Sequence, residues 1–265
     1  MAEVVFQNRF LSNLNFFRER YMVATLPFHS DIVLAVHCIG QIGYSGGRDG
    51  TCAVFNIKTA TLIKQFKAHK FGLSCFEQCN SDLVTAGWDG KAIIWTINLQ
   101  TDQIQSRVFN NQQPVICVKI HGNKMACGLE NGVRIWDFDD NSFTEMDTGL
   151  VTCIDYSNEF VYGKSNMIKD VKNEYYFNAK VSAMKIKDRI HVGTEVLMAI
   201  QMHSDGIRNI SINHNIVTAS YDQTIGIYNQ RKTLWKGHKG DVNDDQTVKI
   251  WNCSESDLSN NNLFS

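Results

Sequence analysis

An all-β propeller of seven small antiparallel sheets is the fold this chain predicts, on three observations. First, a unit of about forty residues repeats. His29 through GRDGTCAVF returns as His69 through GWDGKAIIW, with His and Asp twenty residues apart and Asp and the aromatic six apart both times. Second, each unit holds a short apolar run, a Gly/Asp turn and a β-rich run. That is one four-stranded sheet, which cannot bury both faces alone and must stack radially on its neighbours. Third, RYMVATLPF precedes His29 as TLIKQFKA and RKTLWKG precede later histidines, while the last unit stops at TVKIWN. The early strand is therefore expected to complete the last blade and leave no open edge between the first and last sheets.

The units follow in order with fading fidelity. His203 leads into SYDQTIGIY, where Asp222 stands six before Tyr228, and His238 leads into DDQTVKIW, where Asp245 stands six before Trp251. Between the clear copies, GLENGVRIW puts Glu130 in the Asp slot and Trp136 six later. GKSNMIKDV and VGTEVLMAI keep the turn and lose the aromatic, and together these units number seven. Only seven residues separate His238 from Asp245, against nineteen or twenty elsewhere, so the last unit is expected to be short of strand b and some of strand a. The hairpins around SNMIKDV and GTEVLMAI are expected to be shortened too.

On these residues the chain resembles the WD-repeat β-propeller family from about Tyr21 to Asn252. The resemblance implies a propeller domain at 20–252, an amino-terminal extension at 1–19 and a polar tail at 253–265. It also implies a structural tetrad in each blade: a His before strand a, a Ser/Thr in strand b, the turn Asp, and a Trp in strand c. In blade 2 these are His69, Thr85, Asp89 and Trp95. In blade 1 they are His29, Ser45 and Asp49, with Phe55 in the Trp slot, one N–H donor short. His203, Thr218, Asp222 and Tyr228 fill the slots of blade 6, and His238, Asp245 and Trp251 remain in blade 7. The GRDG and GWDG turns are similar to those of the receptor for activated C kinase, a propeller that sits on the small ribosomal subunit. That likeness implies ribosome association, with Arg48 as an RNA contact.

A His/Asp/Ser set would otherwise suggest a catalytic triad. Recurrence at fixed spacing in blade after blade is what architecture requires and a single active site does not. A buried carboxylate needs partners, and a His N–H with the backbone N–H groups of a turn supplies them. Nucleophile elbows, phosphate loops and HExxH patterns are absent, so no enzymatic activity and no cofactor are expected. With 26 basic and 27 acidic residues there is no global charge footprint for nucleic acid. Nucleic acid is expected only indirectly or through a ribosomal particle. No apolar run approaches the length of a spanning helix, and the first ten residues lack a secretory pattern, so membrane insertion is not expected. Among the eight cysteines, Cys38, Cys75, Cys117 and Cys153 fall in strand a of successive blades, where Cys behaves as a small hydrophobe. No CxxC pair appears, which favours buried reduced thiols, no metal, and a cytoplasmic or nuclear location.

Function is then sought where the copies differ. In the family, the position before the turn Asp often faces the top surface beside the channel, and here it holds Arg48, Trp88 and Tyr221. These three residue types are enriched at interface hot spots. Phe71, two after His69, extends the set. Trp88 either packs on the neighbouring blade or awaits a partner. In residues 1–19, Phe6, Phe10, Leu14 and Phe17 line one face of an expected short helix, which either packs on the propeller or anchors in a partner's groove. The expected role is a non-enzymatic scaffold joining proteins in a larger complex. The alternative is a substrate or peptide receptor subunit of a regulatory complex such as a ubiquitin ligase.

Overall fold

A computed structural model describes residues 3–5, 22–170, 173–177, 180–186, 190–194, 207–212, 216–220, 224–228, 232–236 and 248–252. Its strands run β1 (Glu3–Val5), β2 (Met22–Leu26), then β3 (Val33–Ile39), β4 (Ile42–Gly47), β5 (Thr51–Asn56) and β6 (Thr61–Lys67) as the first four-stranded sheet. The second sheet is β7 (Leu73–Cys79), β8 (Asp82–Gly87), β9 (Lys91–Asn98) and β10 (Gln103–Asn110). The third is β11 (Val115–His121), β12 (Lys124–Leu129), β13 (Gly132–Asp137) and β14 (Phe143–Asp147). The fourth is β15 (Cys153–Tyr156), β16 (Phe160–Lys164), β17 (Met167–Lys169) and β18 (Glu174–Tyr176). β19 (Val181–Ile186) and β20 (Ile190–Thr194) form a two-stranded sheet. β21 (Ile207–Ile212), β22 (Ile216–Ser220), β23 (Thr224–Tyr228) and β24 (Lys232–Lys236) make the next, and β25 (Val248–Asn252) pairs with both β1 and β2.

Each four-stranded sheet is a meander in which neighbours in sequence are neighbours in space, as tight antiparallel connections dictate. Strand b shows why the sequence runs are small and apolar. In β4 and β8 five of the six residues are buried, because the sheet is covered on both faces. The outer strand β6 alternates toward solvent instead.

The core lies between sheets. Tyr44, Cys52 and Val54 of the first sheet meet Leu73, Leu83, Ile93 and Trp95 of the second. Val84, Ala86 and Ile94 of the second meet Val118, Met125, Leu129 and Trp136 of the third. The series continues through Ala126 and Val133 against Val151, Ile154 and Tyr162, then Val161 and Ile168 against Val181 and Met184. Sheets one to four thus each contribute to two cores, which is what holds stacked units that are unstable alone.

β2 pairs antiparallel with β25, Met22 opposite Asn252 and Leu26 opposite Val248. Leu26 packs with Val33, Phe55 and Ile57 of the first sheet. On its other side β25 pairs parallel with β1, so the last sheet has three strands among the described residues. In the fourth sheet the connection between β16 and β17 is Ser165–Asn166, a residue shorter than Trp88–Asp89–Gly90 in the second. The shortening predicted around GTEVLMAI, the helix over Phe6 to Phe17 and the tail at 253–265 lie outside the described residues. No helix occurs among the residues described.

Strand a carries a recurrent bulge. Pairing with strand b shifts register at Val33/Ala35, Leu73/Cys75, Val115/Cys117, Val181/Ala183 and Ile207/Asn209. The skipped residue re-aims its side chain. Ser74 uses this to donate to the Val115 carbonyl of the next blade at 2.6 Å, and Ser182 likewise donates to Ile207 O. Thr152, at the matching place in the fourth blade, donates to Val181 O at 2.7 Å.

One expectation about the cysteines needs correction. Cys52, Cys127 and Cys153 are buried, but Cys38 is exposed, because strand a emerges from the core toward its end. Burial pushes the Cys75 and Cys153 thiols up to about 12, so they remain protonated and act as hydrophobes.

Candidate interaction surface

The loop entering strand a and the turn between strands b and c lie side by side, fixed by the tetrad residues. In blade 2, His69 and Thr85 are buried, with His69 Nε2 2.7 Å from Thr85 Oγ1 and Nδ1 2.9 Å from Asp89 Oδ1. The indole N–H of Trp95 donates to Thr85 Oγ1 at 2.8 Å. A carboxylate can only accept, so Nδ1 carries the proton and Nε2 accepts from the threonine hydroxyl. The chain of donors therefore runs from Trp95 through Thr85 to His69, and from His69 to Asp89. Burial alone would raise the Asp89 pKa, but hydrogen bonds from His69 and the N–H groups of Lys70 and Lys91 outweigh it and hold it at about 2.

Blade 1 keeps three members. His29 Nε2 lies 2.8 Å from Ser45 Oγ, and Nδ1 lies 3.3 Å from Asp49 Oδ1 and 3.0 Å from Thr51 Oγ1. Phe55 is fully buried without a polar contact to give. Its ring occupies the space over Gly43, where a Cβ would lie 2.3 Å from Cε2. In blade 2 the residue opposite Trp95 is Leu83, so the two locks differ in shape as well as in donors. The side chains of Thr218, Tyr228 and Trp251, and all of His203, Asp222, His238, Asp245 and Tyr221, lie outside the described residues.

Blade 3 has a substitute that the sequence reading missed. Asn111 stands four residues before Val115, as His69 stands four before Leu73, and it is fully buried. Trp136 donates directly to its Oδ1 at 2.9 Å, bypassing strand b, where Cys127 fills the hydroxyl slot. Asn111 Nδ2 donates to Phe109 O at 3.3 Å. Glu130, in the Asp slot, is exposed. The clue was available in the NNQQPV spacing, but a search for histidine passes over it.

These networks leave the turn tips displayed. Arg48 N–H donates to Ile32 O at 2.7 Å and Trp88 N–H to Gly72 O at 2.9 Å, so both residues occupy equivalent, backbone-fixed positions. Gly50 has φ +70°, and a Cβ there would stand 2.4 Å from His69 O and 2.5 Å from Phe71 O. Only glycine lets the blade 1 turn press against the blade 2 loop this closely. That contact brings the turn bearing Arg48 beside Phe71. Arg48 is exposed, Phe71 is 54% exposed and Trp88 38% exposed. The Trp88 ring lies over Gly72 of its own blade's entry loop, a site that Leu34 of blade 1 also approaches, and it still faces solvent. Lys70 Nζ sits 5.4 Å from the centre of the Phe71 ring.

Among the described residues, no group of three or more His, Cys, Asp or Glu side chains is placed to hold a metal ion, and no helix is long and apolar enough to cross a membrane.

Stacked four-stranded meanders, one of them locked by a full His–hydroxyl–Asp–Trp set, are the arrangement of a WD-repeat β-propeller, to which the chain is similar, and residues 60–96 match the family described as WD domain, G-beta repeat. Among particular proteins, the chain is similar to cilia- and flagella-associated protein 52 of Bos taurus, 29% identical over 201 residues. That match covers 68% of this chain, which spans 29% of the relative's length. Its fold is shared with the crystal structure of the computationally designed Ika8 protein, at a TM-score of 0.59 and 17% identity, over 80% of this chain and 89% of that one. These likenesses support a WD-repeat protein.

Proposed function

We propose that the protein is a non-enzymatic scaffold that holds partner proteins of a larger assembly through the loop face of blades 1 and 2. The observation that carries this reading is the exposure of Arg48, Phe71 and Trp88 on neighbouring loops whose turns are held by backbone hydrogen bonds. Exposed aromatic side chains and an arginine on neighbouring turns can supply large contact area at little ordering cost. WD-repeat proteins serve generally as interaction scaffolds, which agrees with this role. The relative's name points to cilia and flagella as one kind of assembly, and the similarity of the blade 1 and 2 turns points to a ribosomal particle as another. Lys70 beside Phe71 favours a second reading, a receptor for a short peptide motif, because aromatic and cationic groups together suit peptide capture.

Affinity purification with quantitative mass spectrometry tests both. Trp88→Ala combined with Arg48→Glu is expected to reduce recovery of the main partners about tenfold or more, the loss of one hot-spot contact. Stoichiometric co-purification with a large particle supports the scaffold, and a transient motif-dependent partner supports the receptor. If the double variant retains every partner, this face is not the binding surface.

A further inference from the structure

Successive inner strands carry charges of alternating sign at one height. Four residues after Val33, Leu73, Val115, Val151 and Val181 stand His37, Glu77, Lys119, Asp155 and Lys185. Lys119 Nζ of blade 3 lies 2.8 Å from Glu77 Oε2 of blade 2 and 3.5 Å from Asp155 Oδ1 of blade 4. Lys185 Nζ of blade 5 lies 3.4 Å from Asp155 Oδ2, which also accepts the Ile186 N–H at 2.7 Å. Asp155 is almost wholly buried and Lys119 largely so. Burial would lower the Lys119 pKa, but its two carboxylate neighbours outweigh that and raise it. His37 ends the series beside Glu77 and Lys119, its own pKa lowered by burial.

A buried ion pair is poor evidence for stability but good evidence for specificity, since the wrong neighbour leaves a buried charge unpaired or facing its like. Links of a few residues join each of these sheets to the next, so sequence neighbours lie side by side within one chain, and the competitor for an apolar face is a blade of a second chain. We propose that this belt of alternating charge disfavours docking of a mismatched blade from a second chain onto blades 2 to 5: the cation of blade 3 fits between two acidic neighbours, and the anion of blade 4 between two basic ones. Misdocked pairings would set like charges together in the apolar stack.

Refolding of the full chain from denaturant, followed by size-exclusion chromatography with light scattering, tests this. Lys119→Met and Lys185→Met keep the packing and remove the charge, and both are expected to return to monomer with a lowered denaturation midpoint. Lys119→Glu and Lys185→Glu are expected to lose monomer recovery about tenfold, in favour of oligomers. Adding Glu77→Gln and Asp155→Asn to Lys119→Glu removes both repelling neighbours, keeps the acceptor for Ile186, and is expected to restore monomer. If Lys119→Met fails to refold, the more exposed Lys185 pair decides. Equal recovery of the Met and Glu variants, or no rescue by the neutral neighbours, overturns the proposal.

Discussion

Trp95 donates its indole N–H to Thr85, and that donor separates the lock of blade 2 from that of blade 1. Phe55 manages without it because Gly43 opposite leaves room for its ring, whereas blade 2 has Leu83 at that place. Trp95→Phe is therefore expected to cost about 1–3 kcal/mol, from one buried hydrogen bond and unfilled space. Urea denaturation measures it, and an unchanged midpoint would show that the indole donor is dispensable. The spacing of His69, Thr85, Asp89 and Trp95 was legible because a repeat preserves residue type and interval together. Asn111 was not, because it performs the task with different chemistry. Trp88 was half legible: its exposure was expected from its place beside the turn Asp, but the approach of its ring to Gly72 emerges only in the folded structure.

Within the elements, the bulge in strand a turns an inner residue toward the next blade, and Ser74 and Ser182 use it to reach a carbonyl there, as Thr152 does from just before β15. Ser74→Ala is expected to cost about 1 kcal/mol and to leave the Val115 carbonyl without this donor. Hydrogen exchange should then quicken in β7 and β11 more than in β21, and uniform exchange throughout would argue that the bond does not couple blades. The strands themselves were legible from turn spacing and β-rich runs. The bulge was not, because the skipped positions Leu34, Ser74, Ile116, Ser182 and Arg208 hold no one common side-chain type. The charge belt was hidden for a related reason: its members lie a whole repeat apart, and nothing in the linear order pairs residues across that distance.

For the molecule as a whole, acid is the predicted weakness. Asp89 has a folded pKa of about 2, below its unfolded value of about 3.9, so the stability it contributes is full above that value and is lost as pH falls toward 2. His29 is depressed below 6.5 chiefly by burial, so the unfolded chain takes up its proton first and stability falls as pH drops below 6.5. Both act in one direction. Denaturation midpoints are expected to fall between pH 7 and pH 4, and a flat profile over that range would contradict the buried neutral state of His29.

The β2–β25 ladder also has a mechanical meaning. Met22 opens one strand and pairs with Asn252, which ends the other, so tension applied outward at these two residues meets the ladder at one end. The hydrogen bonds would then break in sequence, from Met22–Asn252 toward Leu26–Val248, instead of resisting together in shear. The same pairing that ties an early strand to the last one makes that seam peel under a modest pull.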